Sequence, residues 1–327
     1  MADARFDGFR RIHQLNADRD DQALIALWAA ATEARRGQTG LNRPREHAGS
    51  ALRRPGAFGV GVFEADVLLS LAVALPAVDD DGRGTRAMPG LMHISSVATE
   101  PDRWGEGLGR RVVKAILVQG IRRGFARAQL WTHASNPMSR HLYESLGFTW
   151  SHRAKPDDFG EEIVHYTREL TAEPVAPRAA ARMLCLDPED RVLLLRWRDP
   201  FDGHELWEPP GGGIEPGETA GVAVLREWAE ETGLPAPTLQ GEAALVARDR
   251  LWFGDRYVVD ESFFLGRVEV AGTPDVSGHT EIEQASYLGH RWIPWRQLDE
   301  LDGADEPDVL AVLRRLAPEG PWAADRP

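Results

Sequence analysis

Glu227, Glu230 and Glu231 lie close together on one short segment, Gly212 to Leu234, reading GGIEPGETAGVAVLREWAEETGL, directly after a glycine-rich run. Three carboxylates on one helical face repel one another unless a cation gathers them. At about 100° per residue, Val222, Leu225, Ala229 and Thr232 point one way, and the three glutamates occupy an arc about 100° wide on the other side. The expected helix packs by one face and chelates by the other. Hard carboxylate oxygens suit a hard divalent cation such as Mg2+, with Mn2+ as the alternative. Arg226 lies four residues before Glu230, within helical reach, and can orient that carboxylate. Thr219 is the expected N-cap and Gly233 the expected C′ residue.

A second stretch with chemical content, SVATEPDRWGEGLGRRVVKAIL, reads as a strand, a loop carrying Gly105, Gly107 and Gly109, and an amphipathic helix. Glycine lets backbone approach a ligand closely, and a helix N-terminus adds unsatisfied N–H groups and a favourable dipole, so the turn can present bare amides to a phosphate.

The first of these segments resembles the Nudix box, G-x5-E-x7-R-E-U-x-E-E-x-G-U with U apolar, through Gly212, Glu218, Arg226, Glu227, Trp228, Glu230, Glu231, Gly233 and Leu234. Trp228 departs mildly from the usual aliphatic, and the preceding LWEPPGG also resembles the family. The resemblance implies a divalent cation, usually magnesium, on Glu227, Glu230 and Glu231, supported by Gly212, Glu218 and Arg226. It also implies hydrolysis of a diphosphate linked to another moiety, with Glu227 and Glu230 among the catalytic groups. The general base stays open between Glu227 and a downstream loop, DVSGHTEIEQ, that offers Glu281 and Glu283. Trp207, Trp252 and Tyr257 are either base-stacking or core residues.

The second stretch is followed by NPMSRHLYESLGF, Asn136 to Phe148, and together they resemble GNAT-type acetyltransferases over roughly residues 6 to 170. The resemblance implies a mixed sheet splayed at its centre with acetyl-CoA in the splay. It assigns Val97, Gly105, Gly107, Leu108, Gly109, Arg110, Asn136 and Tyr143 to the cofactor. The amides around Gly105 to Arg110 receive the pyrophosphate, Asn136 contacts the cofactor arm, and Tyr143 protonates the departing thiolate. Trp104 stands where the family has Gln or Arg. Glu106 adds an adverse charge that Arg103, Arg110 and Arg111 can offset. The base for the amine is open among His93, Glu100, Glu33 and Glu46. A noncatalytic acyl-CoA-binding module that regulates the hydrolase is the alternative reading of this half.

To position two such sites, 327 residues are expected to form two domains rather than one core. The two-proline segment TAEPVAPRAAA places the boundary, with residues 1–171 and 179–327 as domains and 172–178 as linker. The expected fold class is α/β (α+β): a splayed mixed sheet with helices, then an α/β/α sandwich as the Nudix resemblance implies. Strands are expected near 9–15, 58–63, 67–75, 91–97, 128–132, 163–170, 179–186, 192–198, 242–249 and 257–268. Helices are expected near 20–36, 107–123, 137–146 and 307–316, and 79–90 reads by composition as a mobile loop.

A net charge of −13 argues against nonspecific binding to nucleic acid polymers or anionic membranes. The expected partners are therefore a small-molecule amine and a diphosphate-containing substrate, and oligomeric state stays open. A single cysteine, Cys185, fits a reducing cytoplasm. The N-terminus lacks a secretory apolar stretch, and the longest apolar run, from Val67, is too short for a bilayer and contains Pro76.

Overall fold

The computed structural model describes residues 10–39, 47–80, 85–171, 175, 179–301, 304–305 and 308–325. The chain forms two compact units, Met1–Ala172 with Pro200–His204 and Glu173–Asp199 with Glu205–Pro327. Most of the expected linker lies outside the described residues, and the loop Pro200–His204 groups with the first unit.

The first unit runs β1 (Arg10–Gln14), α1 (Asp21–Thr39), α2 (His47–Leu52), β2 (Phe58–Glu64), β3 (Val67–Asp80), β4 (Thr85–Thr99) and α3 (Leu108–Arg122). It continues through β5 (Arg127–His133), α4 (Pro137–Ser145), β6 (Thr149–Pro156) and β7 (Glu162–Glu169). Its sheet has the order β1-β2-β3-β4-β5-β7-β6. Side chains alternate across each strand. Ala72, Ala74, Met92, Ile94, Ala128 and Leu130 therefore pack on Val112 and Ile116 of α3. On the opposite face, Leu71 and Val73 pack on Leu24, Leu27, Ala51 and Leu52 of α1 and α2.

The parallel pairing of β4 with β5 covers only Leu91–Ile94 against Arg127–Leu130. β4 continues to Thr99 and β5 to His133, so the two strands part beyond Ile94 and Leu130 and the sheet is splayed there. The expected loop at 79–90 is largely strand: Val78, Asp79 and Asp80 pair with Ala87, Arg86 and Thr85, and residues 81–84 lie outside the described residues. Polar and glycine-rich composition cannot distinguish a loop from a hairpin arm whose cross-strand backbone bonds do not depend on side chains.

The second unit contains β8 (Ala180–Leu186), β9 (Arg191–Arg198), β10 (Glu205–Glu208), β11 (Gly211–Gly213), α5 (Ala220–Thr232), β12 (Thr238–Trp252) and β13 (Asp255–Arg267). α6 (Glu281–Ser286), β14 (Tyr287–Pro294), β15 (Ala304–Asp305) and α7 (Val309–Leu316) follow. β8 is buried on both faces. Ala181, Met183 and Cys185 meet Ala223, Val224 and Trp228 of α5, while Leu184 and Leu186 join Val309, Val312 and Leu313 of α7. A helix on each face of one mixed sheet is the expected α/β/α sandwich. Among the described residues no helix is long and apolar enough to cross a membrane.

Candidate functional sites

In the second unit, α5 is capped as its sequence predicts. The Thr219 side chain accepts from the Val222 amide, and Gly233 ends the helix in the left-handed region at φ 62°. Its packed face matches the expected one only in part: Thr232 is buried and Leu225 packs on the core. Val222 is 55% exposed and Ala229 is also exposed, whereas Ala223, Val224 and Trp228 are buried, Trp228 completely. The buried sector extends to Glu231, which is 8% exposed, so the packed face and the carboxylate face overlap rather than oppose each other. Trp228 explains this: its indole fills the core, with Nε1 donating to Pro235 O at 3.1 Å, and turns the helix to seat it.

The strand beside the helix is glycine for steric reasons. A Cβ on Gly211, at φ +146°, would stand 2.2 Å from Ala181 O, and one on Gly212 would stand 2.6 Å from the Glu227 carboxylate. The Gly211 amide donates to Glu231 Oε2 at 2.8 Å. Arg226 gathers the other acids. It reaches Glu218 with Nε at 2.9 Å and Nη2 at 3.0 Å, Glu227 and Glu230 with Nη1 at 2.9 and 3.0 Å, and Gly213 O with Nη2 at 3.0 Å. Burial pushes the Glu227 carboxyl above its ordinary value and the Glu231 carboxyl well above it.

Glu227, Glu230 and Glu231 do not converge on one point. Among the described residues, three ligand atoms within 4.8 Å of one another occur at His133, Asp157 and Glu161. The donor set nevertheless fits a hard divalent cation. It offers only carboxylate oxygens, two of its groups are held above their ordinary pKa by burial, and Gly212 clears the space beside Glu227. A cation there has to draw Glu227 and Glu230 away from Arg226.

Behind the site lies a buried ionic network that sequence reading missed. Arg182 pairs with Glu208 at 3.0 Å and Glu261 at 3.1 Å; Arg248 meets Glu261 at 3.3 Å and Arg250 meets Glu208 at 3.2 Å. Glu261 is completely buried and Arg182 is 3% exposed. Three guanidiniums against two carboxylates leave one positive charge, and Arg182 acts to lower the Glu231 pKa against the effect of burial. The available signal was a charged residue inside an apolar strand, as Arg182 is in AARMLCL.

The downstream base candidates fare unequally. Glu283 is spent on a capping box, its Oε2 accepting from the Thr280 amide at 2.7 Å, while Glu281 opens α6. Buried His279 binds the Glu231 carbonyl at 2.9 Å, tying this loop to the end of α5. Trp207 is buried in the core, whereas Trp252 and Tyr257 are half-buried.

In the first unit, Gly105 and Gly107 adopt φ +90° and +80°, and a Cβ on either would meet nothing, so conformation rather than space selects glycine there. The amides of Glu106 and Arg111 are used by Arg103 O and Gly107 O. Among the described residues those of Gly105, Gly107, Leu108, Gly109 and Arg110 carry no backbone partner, and they surround the start of α3. Leu108 sends its side chain into the core and Val97 packs against the same core. The Trp104 indole donates to Thr99 O at 2.9 Å. Glu106 is neutralised by Arg10 and by Arg103 at 3.3 Å, while Arg110 is directed to Ser145 at 2.6 Å and Arg111 to Arg10 O at 2.7 Å. Arg10, rather than Arg110 or Arg111, joins Arg103 in offsetting the acid.

Asn136 caps α4, its Oδ1 accepting from the Ser139 amide at 3.0 Å. Tyr143 is buried, its ring edge-on to Phe148 at 5.8 Å, and burial raises the phenol above its ordinary value. It therefore stays protonated at neutral pH. Of the base candidates, Glu33 is exposed on α1, Glu100 is half-buried beyond the end of β4, and Glu46 lies outside the described residues. His93 has a buried Nδ1 without a hydrogen-bond partner. Sequence reading also missed a junction between α1, β5 and the β6–β7 turn, where Arg35 binds both Glu161 oxygens at 3.0 Å and His133 Nε2 at 3.0 Å.

A splayed sheet beside a loop of bare amides, and a carboxylate-bearing helix against a glycine strand, define an α/β protein with two enzyme-like sites. Residues 23–148 match the acetyltransferase (GNAT) family and residues 176–316 match the NUDIX domain. The second half belongs to the Nudix hydrolases, and the first half is similar to the GNAT acetyltransferases. It is 29% identical to a mycothiol acetyltransferase of Kocuria rhizophila over 140 residues, covering 42% of this chain and 45% of that protein. It is 34% identical to an RNA pyrophosphohydrolase of Brucella ovis over 137 residues, covering 36% of this chain and 67% of that protein. Among solved structures, the ribosomal-protein-S18-alanine N-acetyltransferase of Escherichia coli aligns at 18% identity and a TM-score of 0.40, covering 50% of this chain and 96% of that one.

Proposed function

We propose that the chain is a bifunctional enzyme, an acetyl-CoA-dependent N-acetyltransferase in residues 1–171 joined through 172–178 to a Mg2+-dependent hydrolase in 179–327 that cleaves a diphosphate linkage in a nucleoside diphosphate derivative. The observation that carries the hydrolase is the approach of the Glu227 carboxylate to Gly212, where a Cβ would displace it. When bound, the cation supplies an activated water and neutralises developing phosphate charge. Glu227, Glu230 and Glu231 hold it, Arg226 orients Glu227 and Glu230, and Glu218 steadies Arg226. Glu227 or Glu281 takes the proton from the attacking water.

In the first half, acetyl-CoA supplies an acetyl thioester. The free amides from Gly105 to Arg110 hold the pyrophosphate, and Asn136 meets the cofactor arm. As the amine nitrogen bonds to the acetyl carbon and the C–S bond breaks, Tyr143 gives its proton to the sulfur. His93, whose Nδ1 is unpaired, takes the proton that the amine loses.

The experiment is incubation of the full chain with Mg2+ and nucleoside diphosphate derivatives, and separately with acetyl-CoA and amines, followed by mass spectrometry. An RNA bearing a 5′ diphosphate or triphosphate belongs in the first set, given the name of the Brucella relative. Products in neither set would refute the reading. Acetyl-CoA that binds without turnover yet changes the hydrolase rate would select a regulatory first half. Expression of residues 1–172 and 177–327 apart tests the boundary, since two aggregated fragments would mean a shared core.

A further inference from the structure

On the first unit's sheet, Met92, Ile94, Ala128 and Leu130 face α3, so the alternate residues His93, Gln129 and Trp131 face the other way. Leu75, His93 and Gln129 are direct neighbours across β3, β4 and β5. Trp131 comes immediately after the last β4–β5 pair, where the splay begins. These four residues, with Arg54 and Lys155, line an open cavity of about 210 Å3.

The cavity is chemically asymmetric. His93 lines it, and the buried Nδ1 of this residue has no hydrogen-bond partner. Burial, reinforced by His165, Arg54, Lys155 and His47, pushes this imidazole down to about 4, so it is neutral at physiological pH. At the rim, Arg54 and Lys155 are both exposed, and Lys155 Nζ stands 4.8 Å over the Trp131 ring. Neither cation has a carboxylate partner among the described residues, and no described carboxylate lines the cavity. In a chain of net charge −13 many arginines are held in ion pairs, as Arg35, Arg103 and Arg226 are, and these two cations are not. Sites for whole drug-sized ligands measure about 300–1,000 Å3, so this space suits one end of a molecule.

We propose that this cavity is the acceptor-selecting subsite and that Arg54 and Lys155 there take the anionic end, carboxylate or phosphate, of a small amine. The inference rests on the acetyltransferase reading of the first half and adds the acceptor's charge to it. The carbon stem lies along Trp131 and Leu75, and the amine approaches His93. Charge-assisted bonds to the two cations then discriminate against amines lacking the acid.

The test is calorimetry on the full chain saturated with acetyl-CoA. The ligands are amino carboxylic acids of increasing chain length against their carboxamides, and amino phosphates against the corresponding amino alcohols. At least one acid should bind about tenfold or more tighter than its neutral twin, and the winning series distinguishes carboxylate from phosphate. The double variant Arg54→Met, Lys155→Met should erase that gap, and Lys155→Glu should reverse it. Both side chains are exposed, so both variants should fold, which circular dichroism checks. No acid preferred over its twin, or a preference that survives the double variant, would overturn the proposal. Acetyl-CoA binding is measured first in the same samples. Its absence would count against the acetyltransferase reading, and the anion series would then be scored on the protein alone.

Discussion

In the second half the candidate site is built from side-chain charge: Glu227 and Glu230 of α5 on Arg226 and Glu231 on the Gly211 amide, backed by Arg182, Glu208 and Glu261 on strands. In the first half the surface proposed for a pyrophosphate is built from backbone, the amides of Gly105, Gly107, Leu108, Gly109 and Arg110, and the loop's one acid is neutralised by Arg10 and Arg103. The difference follows from the ligands implied. A cation needs formal negative charge that the fold must hold against desolvation, whereas a pyrophosphate needs only oriented N–H groups. The charge-built site should therefore be coupled to the stability of its unit, and the backbone-built one largely uncoupled from it.

The hardest blow to this contrast would come from Glu261→Gln. Removing one partner from a buried network of three guanidiniums should cost about 3–5 kcal/mol, seen as loss of the second unit's unfolding transition at moderate denaturant. An unchanged midpoint would mean that the network is solvated and not integral. Next, Glu230→Gln and Glu231→Gln should each lower metal-dependent hydrolysis by about 10²–10³-fold with the fold retained, because a ligand charge is lost. Glu215→Gln, at a variable position of the box, should change little, and normal turnover in both variants would remove the site.

In the first half, Tyr143→Phe should lower acetyl transfer by about 10²-fold while leaving acetyl-CoA affinity and thermal stability near the parent's. Replacing Gly107 and Gly109 with valine should instead abolish binding. Equal affinity in that double variant, measured by calorimetry, would contradict the amide cradle. The smallest effect concerns His93. Its folded pKa, about 4, lies below the ordinary value of 6.5, so the unfolded chain takes up the proton first as pH falls. The stability that the neutral imidazole preserves is fully present above about pH 6.5 and is lost between there and about pH 4, by about 1–3 kcal/mol. His93→Gln should flatten that part of the first unit's pH–stability curve, and an identical slope in parent and variant would place the acid sensitivity elsewhere.

Local chemistry was legible in the sequence wherever one continuous segment had to supply it. The box states its own spacing, so residue order alone names Gly212, Glu218, Arg226 and the three glutamates, with Thr219 and Gly233 as caps. The same holds for the loop from Gly105 to Arg110, since a left-handed backbone at a helix start demands glycine in sequence. The order and class of most elements followed from periodicity, because burial of one face imposes it on helix and strand alike.

Tertiary structure alone decided what depends on partners distant in the chain. Arg182, Glu208 and Glu261 meet because β8 pairs with β13 and the turn after β10 passes beside them, and no local pattern encodes that register. The rotation of α5 was set by seating Trp228 in the core, which turned Val222 outward and Glu231 inward against the expectation from helical geometry. Arg10 answers Glu106 across the fold, and residues 78–80 pair with 85–87 because backbone pairing rewards an extended chain whatever its composition. Residue type fixes what chemistry a group can do. Which groups share a low-dielectric space, and hence which charges are neutralised and which are left for a ligand, is a property of packing.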